Sequence, residues 1–281
     1  MEPVLKEMPD SEYFADPAID QTSLKKFMIS PKAYAAYLTG ERVSFAALEF
    51  GKAAHSMVLG SGPLVLVKPN LRSKAGKTEY EGLLAEHEGE DIAWVSQDDF
   101  DALHHMKDEV GSYFKGIPGR PEIALFADDP ITGLRLKGKI DWLPDSPDDD
   151  GVLWLRDYKT TGKSPTEFPV SSRIYRYDIQ ALFYMRLYRR CADYTGPLGF
   201  EFVVQEKQPP YDWQTYRFRW DDPIILDRIT GPEIDKALSG IKAFTGRSDK
   251  PLELMRSYGL SKVPQDIVYP DWWLLAEEEN Q

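Results

Sequence analysis

The spacing of hydrophobic and polar positions changes several times along this chain, and each change predicts an element. From Ser23 the apolar residues of SLKKF and then PKAYAAYL recur at helical spacing, and Ser30-Pro31 supplies an N-cap followed by a first-turn proline. Gly40 ends that helix. Leu48, Gly51, His55 and Val58 share one face of a further helix, about Phe45 to Leu59, which Gly60 stops. Residues 1–20 read as extended and weakly ordered, and residues 61–95 as short strands and loops. Ser96 caps a helix to about Val110, with Asp98 and Asp99 in its first turn, where the helix dipole favours negative charge.

After the turn GIPGRP the period shortens to that of strands. EIALFA and GLRLKGKIDWL are separated by an Asp/Pro/Gly turn, PDSPDDDG forms another turn, and VLWLRDYKTT is a third strand. A long helix from roughly Ser172 to Cys191 follows, then the strands GFEFVVQEK and TYRFRW, then a helix from near Pro223 to about Phe244. Helices, a mainly antiparallel meander, a helix, strands and a helix predict a mixed α/β (α+β) core with a helical N-terminal elaboration. One domain over 1–281 is expected: a mostly helical part (1–120), a sheet-and-helix core (121–220) and a C-terminal helix and tail (221–281).

Composition narrows the function classes. Hydrophobic residues make up 42% of the 281 and charged ones 28%, as in ordinary soluble globular proteins. No run approaches the roughly 20 apolar residues of a membrane span. MEPVLKEMPDSEYF lacks the features of a signal peptide, so a cytoplasmic protein with no membrane partner is expected. The lone Cys191 excludes an intramolecular disulfide and any site built from several thiolates, and reads as a small apolar residue late in a helix. His104 and His105 are adjacent, so on a helix they point apart, which suits a helix surface better than a metal site. A net charge of −12 argues against coating nucleic acid by bulk electrostatics, yet a site for divalent cations must itself be rich in carboxylates.

The chemistry concentrates between residues 122 and 184. LKGKID ends on Asp141, and LRDYK carries Asp157 and Lys159, which alternate onto one face of their strand about 7 Å apart. A tight turn between the strands would bring Asp141 beside Asp157. Two carboxylates can hold Mg²⁺, and a lysine can orient or deprotonate a water and counter charge in the transition state. By itself D-x-K is a weak signal in a chain with 46 acidic residues, because an ordinary same-face ion pair looks identical. The ordered set around it strengthens the reading: Glu122 upstream, and Gln180 and Tyr184 at i and i+4 on the next helix.

With Gly51-Lys-Ala-Ala-His55, Glu122, Gly138-Lys-Ile-Asp141, Asp157-Tyr-Lys159 and Gln180-Ala-Leu-Phe-Tyr184, the chain resembles the PD-(D/E)xK nuclease superfamily. Within it the likeness is to phage-type exonucleases of the exonuclease VIII (RecE) and lambda exonuclease kind, relatives of the RecB nuclease domain. SLKKFMISPKAYAAYL and the closing YPDWW extend the likeness over about residues 21 to 275. It departs in having no proline before Asp141 and Asp in place of Glu as the second acid.

The resemblance implies a restriction-endonuclease-like core, with a central mixed sheet flanked by helices. It implies Asp141 and Asp157 as metal ligands with the Tyr158 carbonyl as a third, Lys159 as the catalytic lysine and His55 as a further ligand. Glu122 would serve a second metal or a metal-bound water, and Gln180 and Tyr184 would orient the lysine or contact the DNA backbone. One or two Mg²⁺ or Mn²⁺ ions and no iron–sulfur cluster are implied. So are 5′-to-3′ digestion from double-stranded DNA ends for recombination, a homo-oligomeric ring and a single-strand annealing recombinase as partner. An endonuclease on the same core, a non-catalytic DNA-end or partner-binding protein, and an acidic scaffold in which GKID and DYK merely pair are the alternatives.

Other features add less. Gly162-Lys163-Ser164 is no Walker A loop, because Asp157 stands where that loop has a glycine, although Lys163 remains a candidate phosphate contact. Lys68, Arg72, Lys74 and Lys77 are either a DNA-gripping strip or solvated lysines and arginine. Ser30 has the geometry to receive a phosphate but reads first as a cap. Tyr269, Trp272 and Trp273 read as core packing.

Overall fold

The computed structural model describes residues 2–40 and 46–266. In chain order, β1 (Val4–Glu7) and α1 (Asp10–Ala15) precede α2 (Gln21–Ile29), α3 (Pro31–Thr39) and α4 (Ala46–Leu59). Next come β2 (Leu64–Val67), α5 (Lys74–Glu86), β3 (Ile92–Val95) and α6 (Gln97–Lys115), with β2 and β3 paired in parallel. β4 (Gly119–Asp128), β5 (Arg135–Pro144) and β6 (Leu153–Thr161) lead through α7 (Phe168–Tyr175) and α8 (Tyr177–Ala192) to β7 (Leu198–Glu206) and β8 (Trp213–Arg219). α9 (Gly231–Thr245) and α10 (Pro251–Met255) complete the described chain.

The main sheet has the order β1-β4-β5-β6-β7-β8, antiparallel throughout except for the β6–β7 pair. A parallel step needs a crossover, and α7 with α8 provides it. One sheet face buries Ile123, Leu125, Leu155, Phe200 and Phe202 against Ile179, Phe183 and Leu187 of α8, with Leu24 of α2 and Ile234 and Leu238 of α9 behind. The other face buries Tyr158 and Val203 under Ala53 and Val58 of α4 and Leu103, Met106, Val110 and Phe114 of α6. The latter four recur at helical spacing, and each such side chain contributes about 1.5–3 kcal/mol on burial. The sheet is thus covered on both faces, and the site described below opens where β5 and β6 part.

Several elements differ from the reading of the sequence. Residues 2–20 are not all extended coil: β1 adds an edge strand to β4, and Tyr13 of α1 is buried against Phe126. Residues 61–95 contain α5, capped by Ser73 and almost wholly exposed, so its hydrophobic period is faint. α6 runs on to Lys115, beyond Val110. The long helix is two helices, α7 and α8, broken at Arg176, whose φ of 54° and ψ of 55° are left-handed. Arg176 is held there by Asp178 (2.9 Å) and by Glu233, the latter reaching from α9. The helix expected from Pro223 begins as a π-helical turn, Ile225–Thr230, before α9 starts at Gly231 with Pro232 in its first turn. The β5–β6 connection is not a tight turn but residues 145–152, organised by Asp148, which accepts from the Val152 N–H (2.9 Å) and the Trp154 indole (2.7 Å). Ser30 caps α3, accepting from the Ala33 N–H at 3.1 Å. The YPDWW tail lies outside the described residues.

Gly199 on β7 pairs with Trp154 on β6, and a Cβ at that position would come 2.2 Å from the Trp154 ring. The ring cannot easily yield, because Asp148 holds its indole N–H and the Arg217 guanidinium stacks on it at 4.3 Å. Gly199→Ala is therefore expected to cost about 1–3 kcal/mol through overpacking. Urea unfolding would show a lower midpoint at unchanged slope, and an unchanged midpoint would contradict this packing.

Candidate active site

The site is built on an irregularity of three strands. β4 and β5 pair from Gly119↔Pro144 to Asp128↔Arg135, but the pairing skips Glu122 and Asp141. Glu122 has a φ of 55°, a left-handed conformation that costs a non-glycine residue about 1 kcal/mol or more and breaks the ladder there. β5 and β6 are joined at Trp142↔Arg156 and then diverge. In the gap the Asp141 carboxylate accepts the Tyr158 N–H at 2.8 Å, a side chain taking the place of a ladder carbonyl.

Asp157 and Lys159 project from one face of β6, toward α8. Gln180 of α8 donates to Asp157 Oδ1 at 2.5 Å, and the Lys159 ammonium pairs with Oδ2. The Tyr177 ring lies 5.4 Å from that ammonium. From α4 on the opposite side, His55 brings Nδ1 to 3.4 Å from Asp141 Oδ2, its ring 5.4 Å from that of Tyr158. Tyr184 packs its ring over Gly138, where a Cβ would sit 3.1 Å away and would press the ring to shift. All of these except Tyr158, Tyr177 and Gly138 line one cleft of about 440 Å³ together with Glu122, Lys139, Asp10 and Tyr13.

Residues 21–251 match the family described as a PDDEXK-like domain of unknown function (DUF3799). The chain belongs to this PDDEXK-like family. Asp141, Asp157 and Lys159, all lining the cleft, lie within the matched span. Among solved structures, a protein of Eubacterium rectale that carries the provisional name of an exonuclease superposes with a TM-score of 0.55. The match is at 12% identity and covers 94% of this chain and 96% of that one, which shows a shared fold. A second solved structure reaches a TM-score of 0.32 at 11% identity over 81% of this chain and 86% of that one, too low to carry an argument. No curated protein matches the chain. The six-stranded mixed sheet flanked by helices is a restriction-endonuclease-like fold, and family and fold together support a nuclease of the PD-(D/E)xK superfamily.

The electrostatics of this PDDEXK-like cleft fit a bound cation. His55, Glu122 and Asp141 each offer a ligand atom, all within 4.8 Å of one another. Burial raises Asp141 well above the usual carboxylate range, and the charges of Asp157 and Glu122 raise it further. Glu122 is likewise raised, by burial first, although Lys139 opposes the shift. Burial and the nearby Lys159 charge pull His55 down to about 4, which leaves a neutral imidazole able to donate to a metal. Burial works against the Lys159 charge, but Asp157 and Asp141 outweigh it and hold that pKa up. A divalent ion would relieve the repulsion among these carboxylates, and two carboxylates with a neutral imidazole are a donor set that Mg²⁺ or Mn²⁺ can share with waters.

The sequence-predicted residues divide. Asp141, Asp157, Lys159, Gln180, Tyr184, His55 and Glu122 all line the cleft. Asp157 stands outside the three-residue ligand group, engaged by Lys159 and Gln180. The Tyr158 side chain points away from the cleft, its ring wholly buried and its hydroxyl donated to Gln205 at 2.5 Å, whereas its backbone, which carries the expected carbonyl ligand, adjoins Asp141 through the N–H. Lys68, Arg72, Lys74 and Lys77 are exposed on the β2–α5 segment and line no part of the cleft. Lys163 is exposed and paired with Glu167 at 3.2 Å.

Asp10, Tyr13 and Lys139 were not anticipated as cleft residues. Lys139 sits inside the GKID motif, and its strand parity with Asp141 is the signal that places it on that face. Asp10 and Tyr13 have no such signal, because long-range contacts, the β1–β4 pairing and the Lys137 bond to the Tyr13 carbonyl among them, bring α1 to the cleft.

The depressed His55 pKa makes metal-free stability depend on pH. Between its unfolded value near 6.5 and its folded value of about 4, the unfolded chain binds a proton that the folded chain refuses. That contribution is complete above about pH 7 and is lost as the pH falls toward 4. With the side chain 28% exposed, the loss is roughly 1–2 kcal/mol. Urea unfolding in chelator should therefore show wild type losing more stability than His55→Gln between pH 7 and 4.5, and parallel losses would contradict the buried neutral imidazole.

Proposed function

We propose that this chain is a Mg²⁺- or Mn²⁺-dependent exodeoxyribonuclease that hydrolyses phosphodiester bonds from the ends of linear double-stranded DNA. The observation that carries the reading is the meeting of Asp141, Asp157 and Lys159 in one cleft, with His55 and Glu122 beside Asp141. His55, Glu122 and Asp141, with Asp157 adjacent, would hold the ion. When bound, the ion supplies charge neutralisation at the phosphate and a more acidic water.

The chain's own groups do the rest. Asp157, fixed by Gln180, holds the Lys159 ammonium in the cleft, where it orients the attacking water and stabilises charge building on the phosphate oxygens. Burial keeps the Tyr184 hydroxyl protonated and able to donate. Unscreened, the carboxylates would repel a DNA backbone, so the reading couples phosphate approach to cation binding.

The resemblance to phage-type exonucleases supports 5′-to-3′ polarity, a ring-shaped homo-oligomer threaded by DNA, and transfer of a 3′-tailed strand to a single-strand annealing recombinase. A linear duplex labelled at either the 5′ or the 3′ ends tests the end-directed part. Release of 5′ label as short products while 3′ label stays in long strands is expected. Early appearance of internal fragments would mark an endonuclease instead.

A further inference from the structure

Besides Lys159, the cleft is lined by the half-exposed Lys52 and by the nearly buried Lys139. The Lys139 ammonium lies 2.6 Å from Glu122 Oε2 and 2.5 Å from Asp10 Oδ1, with its side chain only 13% exposed. It is placed by its strand: Lys139 precedes Asp141 by two residues on β5, opposite Ala124 of β4. The Tyr13 ring stands 6.0 Å from the ammonium.

A second divalent ion would sit about 3.5–4 Å from the first and would need carboxylates of its own or a shared one. Beyond the group of His55, Glu122 and Asp141, the cleft offers Asp157, Asp10 and, at the end of α2's N-terminal segment, Asp20. Asp157 is engaged by Lys159 and Gln180, and Asp20 caps α2 by accepting from the Ser23 N–H at 2.6 Å. Asp10 Oδ1 and Glu122 Oε2 are bridged by Lys139. The position that a second ion would take beside Glu122 is thus filled by a covalently tethered positive charge. Glu122 thus belongs both to the ligand group and to the Lys139 ion pair.

We propose that the Lys139 ammonium stands in for a second divalent ion, so that each chain binds one ion, at His55, Glu122 and Asp141. This rests on the metal-centre reading above. Lys139 is then a positioning residue: it fixes Glu122 and contributes permanent positive charge without a second metal.

The test counts Mn²⁺ bound per chain, by the electron paramagnetic resonance signal of unbound ion during titration. Wild type and Lys139→Arg are expected to bind one ion. Lys139→Met, which keeps the apolar stem and removes the charge, is expected to bind two, and Lys139→Gln serves the same purpose should the methionine variant fold poorly. Two ions in wild type, or one ion in both neutral variants, would overturn the inference and leave the metal-centre reading standing. No bound ion in wild type would overturn that reading and the inference with it.

Discussion

Lys159→Ala is expected to lower the rate of DNA hydrolysis by about 10²–10⁴, the usual worth of a positioned acid–base or charge-stabilising group. The ammonium emerges from β6 in ion pair with Asp157, with Gln180 holding the other carboxylate oxygen. Removing it leaves Asp157, 3% exposed, without its cationic partner. Breaking a buried pair from one side typically costs about 3–5 kcal/mol, so the variant should melt several degrees lower in chelator. A divalent ion near Asp157 would offset that charge, so the gain in melting temperature on adding Mn²⁺ should be larger in the variant than in wild type. Loss of activity with that larger gain identifies a chemical role. A cleavage rate within twofold of wild type would remove Lys159 from the mechanism.

Asp141→Asn is expected to act in opposite directions with and without metal. Its oxygen can still accept the Tyr158 N–H, so the gap between β5 and β6 keeps its bond. What disappears is a buried negative charge that burial, Asp157 and Glu122 all disfavour. For such a carboxylate the folded pKa lies above the unfolded one. Its penalty is present at neutral pH and is relieved as the pH falls through the folded value. The amide removes the penalty at every pH, so the metal-free variant should melt higher than wild type by a few degrees, corresponding to about 1 kcal/mol or more. Wild type with Mn²⁺ at a hundredfold excess over its dissociation constant should gain about 2.7 kcal/mol. Asp141→Asn should lose most of that gain together with cleavage. Calorimetry of both proteins in chelator and in Mn²⁺ reads both signs, and a lower metal-free melting temperature with an intact Mn²⁺ gain would sink the assignment of Asp141 as a ligand.

The two predictions depend on features that differ in how visible they are along the chain. Strand alternation puts Asp157 and Lys159 on one face, and the i, i+4 spacing of Gln180 and Tyr184 turns both toward the sheet, where they meet Asp157 and Gly138. Those relations are local, so the sequence carries them. The position of Asp141 is not local in this sense: it depends on the β5–β6 divergence and on the left-handed Glu122, neither of which leaves a compositional trace. Arg176 likewise breaks a continuous helical pattern because Asp178 and the distant Glu233 hold it. β1 and α1 were illegible for the opposite reason. They are too short for a hydrophobic period to show, and what orders them is pairing with β4, together with Lys137, which donates to the carbonyls of Tyr13 (2.8 Å) and Asp16 (2.7 Å). The exposed α5 shows that a helix without a buried face hides from periodicity even when Ser73 caps it.

Metal-dependent hydrolysis from DNA ends separates linear from closed circular duplex. The decisive experiment is a time course with both substrates, each in Mg²⁺ and in chelator. Wild type should degrade the linear duplex in Mg²⁺, leave the closed circle intact, and leave both untouched in chelator. Survival of the linear duplex in Mg²⁺ and in Mn²⁺, or its loss in chelator, would rule out a metal-dependent exonuclease.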